Sequence, residues 1–144
     1  MTTHEAATTT RDDLTAWKPR LLHVAYYVAD IERALGFYKG VLGLRELMRI
    51  PLGDGMQEVV LAFPDSQGAG VILMWHDQKQ APRTHGNGYS RFVLSVSNLD
   101  AALAHVLKHG APLVTPATIV GPMKYAMVKD PDGYVIELLE FLKA

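Results

Sequence analysis

The segment HVAYYVADIERAL, residues 23–35, has a counterpart later in the chain, RFVLSVSNLDAAL, residues 91–103. Each segment begins with a short apolar or aromatic run, passes through a residue that can cap a helix, and continues with apolar residues at helical spacing. The capping residues, Asp30 and Asn98, occupy the same place in both copies. A recurrence of this kind predicts an internal structural repeat in which a strand is followed by a helix.

Each copy continues with three segments typical of strands, separated by turns rich in Gly and Pro. The sequence therefore predicts two βαβββ modules, with a polar crossover between them. We expect a flexible N-terminal extension over residues 1–19 and a single domain over 20–144, because a chain of 144 residues suits one domain. Within that domain the predicted parts are module one (21–77), the crossover (78–88) and module two (89–143).

Two such modules cannot each bury a sheet face alone, so we expect an α+β fold with two curved mixed sheets around a shared cleft. Strand alternation predicts that His23 faces this cleft, and the repeat gives Arg91 the equivalent position. The closing strands, GVILMWH (70–76) and YVIELLE (134–140), align so that Leu73 corresponds to Glu137. A lone Glu in an apolar strand indicates either a functional site or a buried ion pair.

The segments HVAYYVADIERALGFYKGVLGL (23–44) and GPMKYAMVKDPDGYVIELLE (121–140) resemble the opening strand and helix and the closing hairpin of glyoxalase I. The resemblance covers roughly residues 21–141 and places the chain with the glyoxalase, or vicinal oxygen chelate, superfamily. It implies a divalent metal ion held by four side chains, one from the first and one from the last strand of each module. A glutamate among these ligands moves the proton in glyoxalase I.

Carried over by position, the first and last ligands are His23 and Glu137, and the other two positions hold Leu73 and Arg91. Neither Leu nor Arg binds a divalent metal, so any metal would rest on His23 and Glu137. These two are therefore expected to be residual metal ligands or a general acid and base, the alternative being a buried polar pair. Arg91 is expected either to clamp a negatively charged substrate group or to form a salt bridge to Glu137.

Four residues are predicted to bind the substrate together with Arg91. Tyr27, Leu73 and Trp75 would form an apolar and aromatic wall of the cleft, with core packing as the alternative. Tyr27 takes the position of an arginine that binds glutathione in glyoxalase I, so a glutathione site would lack that cation. Lys124, in the GPMK stretch, fits an anion-binding role that the resemblance implies.

Composition excludes several classes of function. The formal net charge is -1 and the 14 basic residues are scattered, which argues against a nucleic-acid partner. There is no cysteine, so thiolate chemistry and disulfides are excluded. No apolar segment suits a signal peptide or a membrane span. We therefore expect a cytoplasmic protein that binds a small molecule and not a membrane.

The resemblance implies a lyase or isomerase, similar to lactoylglutathione lyase, that moves a proton on a small oxygenated substrate of anionic or aromatic character. The dioxygenases of the superfamily need two His and one Glu, and Arg91 removes one of these. The alternative is a metal-free protein that binds or sequesters a small molecule, as bleomycin-resistance proteins do. In either case we expect a homodimer, because half-open sheets leave apolar surface to cover.

Overall fold

The computed structural model describes residues 16–143 and contains two four-stranded mixed sheets, one from each module. Module one consists of β1 (His23–Tyr27), α1 (Ile31–Leu35), β2 (Arg45–Gly53), β3 (Met56–Ala62) and β4 (Gly70–His76). Module two consists of β5 (Phe92–Ser95), α2 (Leu99–Lys108), β6 (Leu113–Val120), β7 (Met123–Lys129) and β8 (Val135–Phe141). The N-terminal extension predicted for residues 1–19 lies mostly outside the described residues.

The two sheets have the same topology. Their strand orders are β1-β4-β3-β2 and β5-β8-β7-β6, and in each sheet the first strand runs parallel to the last while the other pairs are antiparallel. The first strand of each module therefore lies at a sheet edge, beside the closing strand. This arrangement confirms the predicted α+β fold built from two βαβββ modules.

Both helices begin where the sequence predicts. The side chain of Asp30 accepts a hydrogen bond from the backbone N–H of Arg33, and Asn98 caps α2 through the N–H of Ala101. Beyond Leu35 the helix of module one does not continue as a regular α-helix, because Gly36–Val41 forms a π-helix. Its wider turn is closed by the N–H of Leu42, which donates to the carbonyl of Phe37 at 2.9 Å.

The two modules share one hydrophobic core, so their relative position is fixed by packing. Tyr26 of β1 stacks on Phe92 of β5 with ring centroids 6.0 Å apart, and its ring lies 4.8 Å from that of Tyr134. The backbone N–H of Ala29 donates to Oδ1 of Asp132 at 2.8 Å. The closing hairpin of module two is therefore packed directly against the first strand of module one.

Candidate functional site

The face of the second sheet that α2 does not cover, here called its open face, carries a cavity of about 410 Å³. Arg91 and Val93, at the start of the module, and Glu137, on β8, lie at one side of it. The side chains of β7 that alternate away from the core complete most of its wall. All eight of the described residues that line the cavity belong to module two; besides the three named, they are Val120, Met123, Tyr125, Met127 and Leu139.

Arg91 and Glu137 form an ion pair inside this cavity. Nε of Arg91 donates to Oε2 of Glu137 at 2.5 Å, and Nη1 of Arg91 donates to the hydroxyl of Ser90 at 3.1 Å. Glu137 is only 8% exposed, while the Arg91 side chain reaches solvent. The salt bridge expected for Arg91 is therefore present, and it leaves part of the guanidinium free to contact a ligand.

His23 lies on β1 and forms no hydrogen bond or ion pair with Arg91 or Glu137 within residues 16–143. The first sheet likewise has an open face, the one turned away from the core, and Ala25 and Tyr27 are exposed on it. Strand alternation places His23 on the same face. Its Nε2 atom is buried without a hydrogen-bond partner among the described residues. A buried polar atom is normally hydrogen-bonded, so this nitrogen lacks the partner that such an atom usually has.

The prediction that Leu73 faces the cleft is wrong, because Leu73 is fully buried in the core (0% exposed). On β4 it is Ile72 that pairs with Ala25 of β1, just as Glu137 pairs with Val93 of β5. Since Ala25 and Val93 are equivalent in the repeat, the counterpart of Glu137 is Ile72. The correct alignment lays GVIL (70–73) over VIEL (135–138), a signal that the sequence already contained.

Trp75 and Lys124, two further residues predicted to bind the substrate, do not lie on the open faces of their sheets. Trp75 shares the face of Leu73 and packs against the core, so it does not line the open face. Lys124 shares a face with the buried Ala126, and its Nζ donates to both carboxylate oxygens of Asp100 on α2 at 2.8 Å. The error for Trp75 follows from the wrong facing of Leu73, since a shift of one residue along a strand exchanges the faces. The role predicted for Lys124 came from the resemblance, and its ion pair with Asp100 was not foreseen.

Tyr27 does lie on the open face of the first sheet, where it is 37% exposed. The crossover folds over it, with Cζ of Arg83 at 3.8 Å from the centre of the Tyr27 ring. The sequence analysis did not identify Arg83, since a basic residue in a polar connection carries no signal of its own. Only the fold brings the two residues together.

The residues at the four positions for which the resemblance to glyoxalase I implies metal ligands do not fit a divalent ion. Those positions hold His23, Ile72, Arg91 and Glu137, and the carboxylate of Glu137 is engaged by the guanidinium of Arg91. Arg stays protonated near neutral pH and cannot act as a ligand. Within residues 16–143 no three or more His, Asp or Glu side chains are grouped closely enough to hold a metal ion.

Comparison with known proteins agrees with the fold. Residues 20–138 match the family model of the Glyoxalase/Bleomycin resistance protein/Dioxygenase superfamily, and the chain belongs to this superfamily. It is 32% identical over 127 residues to a lactoylglutathione lyase of Neisseria meningitidis, covering 84% of this chain and 90% of that protein. A lactoylglutathione lyase of Salmonella typhimurium is 34% identical over 130 residues, which cover 84% of this chain and 92% of that protein.

Among solved structures, the trypanothione-dependent glyoxalase I of Leishmania major superimposes with a TM-score of 0.73 and 27% sequence identity. The match covers 85% of this chain and 87% of that one. Within residues 16–143 no helix is long and apolar enough to cross a membrane.

Proposed function

We propose that this protein is a glyoxalase-like lyase or isomerase that moves a proton on a small anionic substrate and in which an arginine stands in place of the metal ion. The observation that carries the proposal is the Arg91–Glu137 ion pair in the cavity of module two. It combines a fixed positive charge with a mostly buried carboxylate, in a chain whose relatives are named lactoylglutathione lyase.

The proposed step is a 1,2 proton transfer next to a carbonyl group. Glu137 removes a proton from the carbon beside the carbonyl, and the electron pair of that C–H bond moves onto the carbonyl oxygen. Arg91 donates hydrogen bonds to this oxygen as its negative charge develops. The first carbon also carries a hydroxyl group, which passes its proton to the former carbonyl oxygen and becomes the new carbonyl, while Glu137 returns the proton it removed to the former carbonyl carbon. The reaction is therefore redox-neutral and needs no further reactant.

His23 supplies the second proton-transfer group in this proposal. Its Nε2 atom is buried and unpartnered among the described residues, and it lies in module one, whereas the cavity is lined by module two. A second copy of the chain, with its first sheet placed beside this cavity, would bring the two groups together. We therefore propose a homodimer whose active sites each combine the two modules.

The test measures isomerisation of the hemithioacetal formed from methylglyoxal and glutathione, with an excess of chelator present. We expect activity to survive chelation and Glu137→Gln to lower kcat at least about 100-fold, which is typical for loss of a general base. Glu46→Gln is the matched control, because Glu46 also pairs with an arginine, Arg49, but lies on β2 away from the cavity. Activity that requires a bound metal ion would contradict the arginine-based site.

A second function, metal-free binding of a small molecule, is favoured by the apolar part of the cavity, formed by Val93, Met127 and Leu139. Such a protein would bind its ligand without turnover, and Glu137→Gln would then retain affinity. Ligand binding by calorimetry in both chains, combined with the hemithioacetal assay, separates the two functions. Ligand binding without turnover in the parent chain would support the binding function and reject the lyase or isomerase function.

A further inference from the structure

Arg83, in the crossover between the modules, places its guanidinium group on the open face of the first sheet. Cζ of Arg83 lies 3.8 Å from the centre of the Tyr27 ring, well within the range of about 6 Å for a cation–π contact. Such a stack occupies one flat side of the guanidinium. The N–H groups at its edge remain able to donate hydrogen bonds in the plane of the group.

Three contacts anchor the structure around this stack. The ring of His85 lies nearly parallel to that of Tyr134, with centroids 3.9 Å apart and an angle of 10°. The hydroxyl of Tyr89 donates to the carbonyl of Val135 at 2.8 Å, and that of Tyr134 donates to the carbonyl of Tyr27 at 2.7 Å. The crossover is thus attached to module two through His85, and Tyr134, on which His85 stacks, is in turn hydrogen-bonded to β1. Arg83 is held over Tyr27 by this arrangement.

The charge of Arg83 has no acidic partner among residues 16–143, where no carboxylate lies within 4.0 Å of its guanidinium. Arg49 provides a contrast, because it lies more loosely over Trp75, at 5.9 Å, and both Nε and Nη2 donate to Glu46. Two donor nitrogens of Arg49 are therefore engaged by a carboxylate within the chain. Those of Arg83 face solvent beside the open face.

We propose that Arg83, supported by Tyr27, is a binding subsite for a carboxylate group of the substrate. A planar guanidinium held by an aromatic ring presents two parallel N–H donors, which match the two oxygens of a carboxylate. The inference rests on the proposed function and narrows its substrate class to carboxylates. It also assigns a role to the crossover, which would take part in substrate recognition in addition to connecting the modules.

The test follows the Nε–Hε resonance of Arg83 by NMR while the intact protein is titrated with benzoate, benzamide or inorganic phosphate. The signal is assigned by its absence in Arg83→Gln. We expect benzoate to shift it saturably and benzamide, which has the same shape without the charge, to leave it unchanged. Loss of the arginine should weaken benzoate binding about tenfold or more, as expected for a charged hydrogen-bonded pair.

Two further variants test the geometry of the subsite. Arg83→Lys keeps the charge but loses the two parallel N–H donors of the guanidinium, so it should recover only part of the affinity for benzoate. Tyr27→Leu should weaken benzoate binding, because it removes the aromatic ring on which the guanidinium stacks. Arg49→Gln is the matched control and should bind benzoate as the parent chain does. No saturable shift with benzoate, an equal response to benzamide, or a response to phosphate alone would each overturn the carboxylate subsite.

The hemithioacetal assay on the same variants separates this inference from the proposed function. Arg83→Gln should raise KM and leave kcat largely unchanged, because the subsite binds and does not react. A benzoate response in a chain without turnover would retain the subsite and reject the lyase. Turnover with an unchanged KM in Arg83→Gln would reject the subsite and retain the lyase.

Discussion

Asp130, the first residue of the DPDG turn, connects the two modules through a single buried carboxyl group. Its Oδ2 atom accepts a hydrogen bond from the hydroxyl of Tyr38 at 2.7 Å. Its Oδ1 atom accepts from the backbone N–H groups of Asp132 and Tyr134, both at 2.9 Å. Burial raises the pKa of Asp130 above its ordinary value of 3.8, although these hydrogen bonds oppose the shift.

This raised pKa predicts a pH-dependent contribution to stability. The folded state binds the proton of Asp130 more tightly than the unfolded state does, so the contribution is complete below pH 3.8 and is lost as the pH rises through the folded pKa. Asp130→Asn lacks this titration. We therefore expect Asp130→Asn to gain stability relative to the parent chain as the pH rises across that window, so that its free energy of unfolding minus that of the parent increases.

Urea denaturation at a series of pH values from 3.5 upwards measures this difference. Asp65→Asn is the matched control, because Asp65 is exposed in the turn between β3 and β4, and its difference from the parent chain should stay flat. A flat difference for Asp130→Asn as well would show that the buried carboxyl group titrates at its ordinary pKa. Tyr38→Phe should move the window to higher pH, since the Tyr38 hydrogen bond lowers the pKa of Asp130.

At the scale of elements, β4 shows how far the sequence could define the site. The strand itself was predicted with its observed bounds, Gly70–His76, because a run of apolar residues between glycines is a strong local signal. Its facing was predicted wrongly, because nearly every position of the strand is apolar and alternation is then invisible. The pairing with β1 decides it, and that pairing depends on contacts distant in sequence.

Module two was easier to interpret because its closing strand contains a charged residue. The charge of Glu137 distinguishes one face of β8 from the apolar face that packs in the core. The equivalence of Arg91 to His23 followed from the helix caps, which align the two copies of the repeat. The ion pair between Arg91 and Glu137 was therefore foreseen as one of two alternatives. Arg83 could not be foreseen, because its place over Tyr27 depends on how the whole crossover packs.

The corrected facing of β4 can be tested with a pair of neighbouring substitutions. Leu73→Glu would place a charge in the core and should lower the free energy of unfolding by more than about 3 kcal/mol. Ile72→Glu would place the same charge on the open face and should cost about 1 kcal/mol or less. Thermal or urea denaturation compares the two variants. Equal losses in this pair and also in the corresponding pair of alanine variants would contradict the assignment of faces.

Ile72→Ala and Leu73→Ala separate the effect of charge from the effect of lost volume. Truncation of the buried Leu73 should cost about 2–5 kcal/mol, and truncation of Ile72 should cost clearly less. If the two alanine variants differ in this order while both glutamate variants unfold, the facing is still correct and the open face does not tolerate a charge.

At the scale of the whole molecule, the edges of the two sheets suggest what completes the site. The first strand of each module lies at an edge and has a partner on one side only within the described residues. Apolar side chains on these strands are exposed to solvent: Val24 is 44% exposed and Val93 is 48% exposed. Unpaired edges carrying apolar residues are normally covered in native proteins.

We therefore expect a dimer of twice the chain mass of 15.9 kDa in light scattering after size-exclusion chromatography. Val24→Lys and Val93→Lys should each shift the protein towards the monomer, because a lysine at the edge opposes strand association. Leu107→Lys is the control: Leu107 is also partly exposed but lies on α2, away from both edges, so this variant should remain dimeric.

Val24→Lys also connects assembly to function, whereas Val93→Lys does not, because Val93 itself lines the cavity. Because all the described residues that line the Arg91–Glu137 cavity come from module two, a monomer should keep its fold and lose most of its turnover of the hemithioacetal. The loss should be recovered at high protein concentration, where mass action restores the dimer. A folded monomer with full specific activity at low concentration would show that one chain completes the site by itself, with His23 reaching the ion pair through a movement of its own two sheets.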